Sequence, residues 1–204
     1  ASQYLCYDDL FYVDNITGET KSDILSDWSV SDDGLEYTLT LRDDVYFSNG
    51  DQMTGEDILF SLIRASGVST YKNYFAAFDL EQSVVSDDGM KVTVYATKPY
   101  APGIMLGGIY TFIVEKSWIE ENGGEEDFNW FDPALVNGSG PYTVTEFVQD
   151  ISITFEKRED WWMADEADPT ICTAEIIHCY AYSDSMTMMV AFENGVIDLA
   201  LPIT

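Results

Sequence analysis

Residues 28–50 of the chain read WSVSDDGLEYTLTLRDDVYFSNG and contain the clearest structural pattern in the sequence. Inside it, the apolar residues Tyr37, Leu39 and Leu41 alternate with polar and charged residues. Apolar residues at every second position are typical of a strand that buries one face and exposes the other. The stretch therefore predicts a half-buried strand, and with it a sheet.

The turn in front of this strand occurs twice in the chain. The residues Val-Ser-Asp-Asp-Gly stand at 30–34 and again at 85–89, and a second alternating stretch follows at 91–96. An Asp-Gly pair suits a tight hairpin, because Gly adopts positive φ without steric cost and Asp can bond its own backbone. Both turns therefore predict hairpins. Paired aspartates can also indicate a calcium site, but neither segment has the spacing of a calcium-binding loop.

Downstream of the first strand, residues 53–61 read MTGEDILFS and predict a helix. Thr54 can cap the free N–H groups, and Glu56 and Asp57 stand in the first turn, where the helix dipole favours negative charge. Further helices are predicted near 115–123 and 185–193. Further strands are predicted near 142–147, 151–156 and 174–182, with a last strand after Asp198 that would complete a parallel crossover.

A turn-rich stretch separates the second predicted helix from the next strand. Residues 123–140 are rich in Gly, Asp, Asn and Pro, and they end in Asn137-Gly138-Ser139-Gly140, followed by Pro141. Two glycines so close to a proline indicate a constrained turn and not a flexible linker. We expect a boundary between two lobes of the molecule here.

Charge excludes some classes of partner. The chain has 9 Lys+Arg and 37 Asp+Glu, for a formal net charge of −28. Such a surface repels phosphate backbones and anionic headgroups, so nucleic acids and membrane surfaces are not expected as partners. A hydrophobic content of 46% is too high for a disordered acidic tail and allows a sizeable core. No apolar stretch approaches the about 20 residues that a membrane-spanning helix needs.

The three cysteines and the single histidine match no metal-binding template. Along a strand at about 3.3 Å per residue, Cys172 and Cys179 would lie about 20 Å apart, too far for a disulfide. We expect scattered, buried thiols, Cys6 included, and these leave the redox compartment open. His178 stands beside Cys179, but neighbours on a strand point to opposite faces, so a structural or surface histidine is expected.

Motifs of the common enzyme classes are missing from the sequence. It contains no Gly-x-Ser-x-Gly elbow, no Gly-x-Gly-x-x-Gly loop and no Walker pattern. Among 37 acids, a pair of carboxylates carries no information about a glycosidase-like site. The residues therefore indicate no catalytic set, no metal site and no cofactor. The five Trp, 13 Tyr and 11 Phe are expected mostly in the core, and the rest can line a ligand cleft.

Four blocks of sequence, taken together, resemble the signature of the family 5 extracellular solute-binding proteins. These are the oligopeptide-, dipeptide- and nickel-binding receptors of ABC importers. The family pattern combines a Ser-Asp-Asp-Gly turn, a Tyr-Thr-Phe-Thr-Leu-Arg strand and a Thr-Ala-Glu-Asp-Val helix start with later Gly-Thr-Gly-Pro-Tyr, Glu-Arg-Asn-x-x-Tyr-Trp and Gly-Glu-Ile-Asp strings. The corresponding blocks here are 28–61, 137–142, 156–162 and 192–198, in the same order.

The resemblance implies an α/β fold of the periplasmic-binding-protein type II kind, with mixed β-sheets and flanking helices. Residues 9–133 would form the smaller, variable domain, and residues 1–8 and 134–204 would form part of a discontinuous first lobe. Because family members are much longer, the resemblance also implies a fragment without the second ligand-binding lobe. Such a fragment is expected to bind peptides weakly or not at all.

By the same resemblance, the protein is the extracytoplasmic solute-binding component of an ABC importer, a periplasmic protein or cell-surface lipoprotein, and a monomer. It would bind a peptide, a nickel complex or an oligosaccharide in a cleft between two lobes that close over it, and deliver the solute to a membrane permease. A ligand sensor on the same fold and an acidic carboxylate-dependent hydrolase are the alternatives.

The resemblance also carries ligand-facing positions over to this chain. From the smaller domain these are Tyr71, Tyr74, Gly108, Ile109 and Tyr110; from the first lobe they are Leu201 and Pro202. Core packing is the alternative role for the first two tyrosines. The Leu201-Pro202 pair departs from the polar residues common at its position in the family.

Overall fold

Three antiparallel sheets and several short helices make up the described part of the chain. The structure, a computed structural model, describes residues 3–14, 16–99, 111–164 and 172–201. Its sheets have two, four and three strands, and each paired strand runs antiparallel to its neighbour. The predicted α/β class, with several sheets and flanking helices, is therefore confirmed.

The strands, in chain order, are β1 (Tyr12–Val13), β2 (Thr20–Lys21), β3 (Leu25–Val30), β4 (Glu36–Leu41), β5 (Phe78–Val85), β6 (Lys91–Ala96), β7 (Tyr142–Val148), β8 (Ser152–Lys157) and β9 (Ile176–Tyr180). The helices are α1 (Gln3–Cys6), α2 (Gly55–Gly67), α3 (Lys72–Phe75), α4 (Lys116–Glu121), α5 (Gly124–Asp127) and α6 (Ser185–Glu193), with a 3₁₀ turn at Pro133–Leu135. Among the described residues, no helix has the length and apolar content needed to cross a membrane.

The four-stranded sheet has the order β3-β4-β6-β5 and is built from the two predicted hairpins. The predicted alternation of β4 is confirmed, since Tyr37, Leu39 and Leu41 are buried. They belong to the main core, which we define as the cluster of buried apolar residues between Leu10 and Ile113. Residues 28–50 therefore supply the central part of this core.

The two Val-Ser-Asp-Asp-Gly turns have the same hydrogen bonds. The N–H of Gly34 donates to the carbonyl of Ser31, and the N–H of Gly89 donates to that of Ser86, both at 2.8 Å. Both glycines have positive φ, at 71° and 73°. In each turn the second aspartate accepts a hydrogen bond from the serine hydroxyl at 2.6 Å. The repeated sequence thus encodes a repeated turn, as predicted.

Helix α2 begins where the sequence predicts, and Thr54 forms a capping box with Asp57. The Asp57 carboxylate accepts hydrogen bonds from both the backbone N–H and the hydroxyl of Thr54, each at 2.8 Å. Its other oxygen accepts from the backbone N–H of Lys116 at 2.8 Å. Asp57 therefore closes the first turn of α2 and also ties this helix to the start of α4, while α2 packs against β5 and β6.

The three-stranded sheet, in the order β7-β8-β9, covers a second core. We define the second core as Cys6, Tyr142, Val144 and Phe155, which are buried together. Helix α1 supplies Cys6, so the N-terminal segment packs on a sheet that lies more than 130 residues away in the chain. The strands predicted near 142–147, 151–156 and 174–182 and the helix at 185–193 are confirmed, with shifts of one or two residues at the strand ends.

The predicted last strand and its parallel crossover are wrong for the described residues. Residues 199–201 form no strand, and β9 pairs antiparallel with β8. The apolar side chains Val196, Leu199 and Leu201 are exposed. A strand needs a neighbouring edge to satisfy its N–H and C=O groups, and none of the described strands pairs with this segment.

Candidate functional site

The loop Asn137–Gly140 packs directly on the N-terminal segment of the chain. A Cβ on Gly138 would overlap the carbonyl oxygen of Cys6, and a Cβ on Gly140 would lie 2.7 Å from the carbonyl carbon of the same residue. The N–H of Gly140 also donates to the Cys6 carbonyl at 2.9 Å. The predicted constrained turn is therefore confirmed, and its two glycines are required by the close approach of two backbones.

The Arg158 side chain also binds this loop. Its Nη1 donates to the carbonyls of Gly138 and Gly140, both at 3.1 Å, and its Nη2 donates to the carbonyl of Phe47 at 3.4 Å. The Arg158 side chain is buried, and Nε contacts Asp160 at 3.2 Å. The guanidinium thus joins two loops that are about ninety residues apart in sequence. Arg158 lies in the block 156–162, but nothing in this Lys-Arg pair indicates that the partners are backbone carbonyls.

A buried carboxylate completes the connection between these loops. Glu115 accepts hydrogen bonds from the side-chain amides of Asn137 and Asn49 and from the hydroxyl of Ser117 at 2.7 Å. The Asn137 carbonyl oxygen in turn accepts from the Ser48 hydroxyl at 2.9 Å. Because every partner is neutral, burial dominates and raises the pKa of Glu115. We call the loop Asn137–Gly140, Arg158 and Glu115 the junction.

Two of the predicted ligand residues lie at the short helix α3. Tyr71 is its N-cap residue, and Tyr74 lies within it. The N–H of Tyr74 donates to the carbonyl of Tyr71 at 2.8 Å, and that of Tyr71 donates to Val68 at 2.9 Å. Both side chains are half-buried and pack against the main core. They therefore combine core contact with a partly exposed ring, and their ligand-facing role stays a prediction.

Within the described residues, no contact places the other predicted ligand residues beside these tyrosines. Leu201 is 70% exposed and belongs to neither the main core nor the second core. Gly108, Ile109, Tyr110 and Pro202 lie outside the described residues. The chain that follows the first three is fixed at Thr111, whose carbonyl accepts from the N–H of Leu10 at 3.0 Å.

A cavity of about 660 Å³ lies beside β3 and β4. In it, Arg42 and Asp44 form a two-point ion pair, with Nε–Oδ1 at 2.8 Å and Nη2–Oδ2 at 2.7 Å. The Arg42 guanidinium also lies 5.2 Å from the ring centre of Trp162. The cavity is lined by Ser22, Asp23, Leu25, Ser26, Leu41, Arg42, Asp43, Asp44, Met90 and Met163, none of them a predicted ligand residue. Serine hydroxyls and charged side chains make this wall polar.

The thiols are not scattered, which corrects the expectation from sequence. Cys6 is buried in the second core, and Cys172 and Cys179 are half-buried against the same core. They converge because alternate residues of β9 face this core, while Cys172 approaches from the preceding loop. All three are free thiols. Burial raises the pKa of Cys6 to about 12, so this thiol is unreactive at neutral pH.

His178 lies on the opposite face of β9 from Cys179, as predicted. Its ring is exposed, stacks on Tyr180 and has Nδ1 3.1 Å from the Thr154 hydroxyl. Within the described ranges, no three His, Cys, Asp or Glu side chains are grouped in a way that could hold a metal ion.

The chain can now be assigned to a class by comparison with known proteins. Residues 19–204 match the family model described as "Bacterial extracellular solute-binding proteins, family 5 Middle". The chain therefore belongs to this family of solute-binding proteins, and the resemblance drawn from its sequence blocks is confirmed.

The chain is similar, at low sequence identity, to curated solute-binding proteins. The dipeptide-binding protein DppE of Bacillus subtilis is 26% identical over 191 residues, which cover 85% of this chain and 33% of DppE. The oligopeptide-binding protein OppA of the same organism is 26% identical over 205 residues, covering 91% of this chain and 36% of OppA. The chain thus spans about a third of the length of these relatives.

Solved structures agree on the fold. OppA of Listeria monocytogenes, bound to a peptide, superposes with a TM-score of 0.77 at 21% identity, over 95% of this chain and 40% of OppA. NikZ of Campylobacter jejuni, in complex with Ni(L-His), gives 0.76 at 20% identity, over 95% of this chain and 37% of NikZ. The periplasmic-binding-protein-like fold is therefore confirmed, and this chain corresponds to a part of that fold.

Proposed function

We propose that this chain is part of the extracytoplasmic solute-binding component of an ABC importer, which binds a peptide or a similar small solute and delivers it to a membrane permease. The family match over residues 19–204 carries this proposal. Relatives named for dipeptide and oligopeptide binding favour a peptide over other solutes. The component acts by binding and not by catalysis, as a monomer, either in the periplasm or as a cell-surface lipoprotein.

The proposed ligand lies in a cleft between two lobes. In this proposal residues 9–133 form the smaller domain, and residues 1–8 and 134–204 form part of the first lobe. The separation of the cores supports this division. All buried residues of the main core lie between residues 10 and 113, whereas the second core consists of Cys6, Tyr142, Val144 and Phe155. The junction connects the two parts through Arg158 and Glu115.

The proposed contacts to the ligand are Tyr71, Tyr74 and the segment 108–110 from the smaller domain, with Leu201 and Pro202 from the first lobe. Half-burial of the tyrosines supports this role, since a ring that packs on a core with one edge is held rigidly for a ligand on the other. Rigid aromatic side chains lose little conformational entropy on binding.

The proposal is tested on the natural gene product that carries these 204 residues. Native mass spectrometry of the purified protein identifies any retained solute, and calorimetry with that solute measures its affinity. Tyr71→Ala and Tyr74→Ala should each weaken binding by about 1–2 kcal/mol, roughly tenfold in Kd. Tyr180→Ala is the matched control, because Tyr180 is 52% exposed on β9 and is not a proposed contact.

Two results would separate the parts of the proposal. Tight binding that is unaffected by either tyrosine variant would remove these tyrosines from the site and leave the solute-binding function standing. A gene product that retains no solute and binds none of a panel of di- to pentapeptides, glutathione and nickel–histidine would contradict the function itself.

A further inference from the structure

Two consecutive carboxylates, Asp8 and Asp9, lie where the N-terminal segment passes from the second core to the main core. Cys6 belongs to the second core and Leu10 to the main core. Main-chain hydrogen bonds hold the segment on both sides of the pair. The N–H of Ile113 donates to the Asp8 carbonyl at 2.9 Å. At the two ends of the segment, the N–H of Leu10 donates to the Thr111 carbonyl, and the Cys6 carbonyl accepts from the N–H of Gly140.

The Asp8 carboxylate faces polar groups that satisfy it poorly. The indole N–H of Trp162 lies 3.4 Å from Asp8 Oδ2 but 3.0 Å from the carbonyl oxygen of Ser139, which is the better acceptor. The Ser139 hydroxyl is the other hydrogen-bonding group near Asp8. Arg158 is the cation that acts on Asp8, and its terminal nitrogens are already engaged by three carbonyls.

Asp9 is satisfied even less. Its Oδ1 is buried and has no hydrogen-bond partner. Asp9 forms an antiparallel bridge with Phe112, so the residue directly across from it is apolar. The charged neighbour that acts on Asp9 is Asp8, which has the same sign. Both residues are half-buried, and a half-buried carboxylate with few donors and a like charge nearby favours the protonated form.

The charged and titratable groups around the pair agree with this reading. Burial, followed in smaller measure by Asp23, raises the pKa of Asp8 to about 6 against the effects of Ser139, Trp162 and Arg158. Burial and then the charge of Asp8 raise the pKa of Asp9 to about 7. Cys172 is the remaining titratable neighbour of Asp8, and burial raises the pKa of its thiol, so it stays neutral.

We propose that Asp8 and Asp9 make the attachment of residues 6–10 to the junction depend on protons. While both carboxyls are protonated, the segment stays fixed between the loop Asn137–Gly140 and residues 111–113. When they ionise, two neighbouring half-buried groups carry like charge, and the segment opens. Since both groups bind protons more tightly in the folded chain than in the unfolded one, the stability they contribute is present below about pH 4 and is lost as the pH rises through about 6 and 7.

Amide hydrogen exchange tests this proposal locally. The amides of Leu10, Ile113 and Gly140 report opening of the segment, because each donates a hydrogen bond across it. After correction for intrinsic exchange, the equilibrium constant for opening should be at least about tenfold larger at pH 8 than at pH 5. The amides of β4 serve as internal reference for global unfolding. In Asp8→Asn/Asp9→Asn the increase should vanish, whereas in Asp32→Asn, which removes an exposed carboxylate, it should remain.

Equal opening at the two pH values, or the same increase in the double variant as in the original chain, would overturn the proposal. Carboxyl-carbon NMR of the original chain provides a second measurement that does not depend on the variants folding. Titration midpoints above about pH 5.5 for both Asp8 and Asp9 support the proposal, and midpoints near pH 4 contradict it.

Discussion

Gly138 shows how a single residue fixes the junction. Its Cα approaches the backbone of Cys6 so closely that no side chain fits between them. Backbone atoms of a packed segment cannot move aside as the end of a flexible side chain can. The close approach also explains why this part of the site was only half predictable. A Gly-Ser-Gly-Pro string indicates a constrained turn, but it does not indicate which distant segment imposes the constraint.

Gly138→Ala should lower the free energy of unfolding by at least about 3 kcal/mol, because the added methyl group displaces the N-terminal segment. Gly67→Ala is the matched control. Gly67 lies at the end of α2 with open space around its Cα, so the change in stability should stay below about 1 kcal/mol. Urea unfolding of both variants measures the difference. Equal stability of Gly138→Ala and the original chain would show that the two backbones can separate freely.

At the scale of elements, short-range patterns predicted most of the fold. The alternation in β4, the repeated Asp-Gly turns and the start of α2 all depend on residues close in sequence, and all are confirmed. The failures depend on partners far away in the chain. The strand expected after Asp198 needs an edge to pair with, and the clustering of the thiols depends on α1 meeting β9. Neither contact is encoded in local periodicity.

Asp57 provides a test of how one element is attached. Asp57→Ala removes two hydrogen bonds to Thr54 and one to Lys116, so the free energy of unfolding should fall by about 2 kcal/mol. Glu56→Ala, one residue earlier, removes an exposed ion pair with Lys116 and should cost no more than about 0.5 kcal/mol. Thermal unfolding of the two variants compares them directly. If both lost the same amount, the tie between α2 and α4 would not be a stabilising contact.

Across the whole molecule, the described part of the chain leaves many large apolar side chains exposed. Much of the exposed apolar surface lies in and after α6, where Met186, Val196 and Leu199 are between 68% and 77% exposed. The −28 charge keeps such a surface in solution, but it does not cover these apolar side chains.

The 204-residue chain should therefore bind a hydrophobic dye such as anilinonaphthalene sulfonate while folded. Met186→Lys combined with Leu199→Lys should lower the dye fluorescence by about half, because both side chains stand in the exposed apolar surface. Glu193→Gln also makes α6 more positive but leaves its apolar residues unchanged, so its fluorescence should match that of the original chain. Fluorescence that Met186→Lys combined with Leu199→Lys leaves unchanged would show that the dye does not bind this apolar surface.

The proposed function is that the protein binds a solute without converting it. The most direct measurement incubates the natural gene product with its retained solute, or with a dipeptide panel if none is retained, and follows both by native mass spectrometry over time. We expect a 1:1 complex from which the solute is released chemically unchanged. A new product that accumulates beyond one equivalent of protein would contradict it.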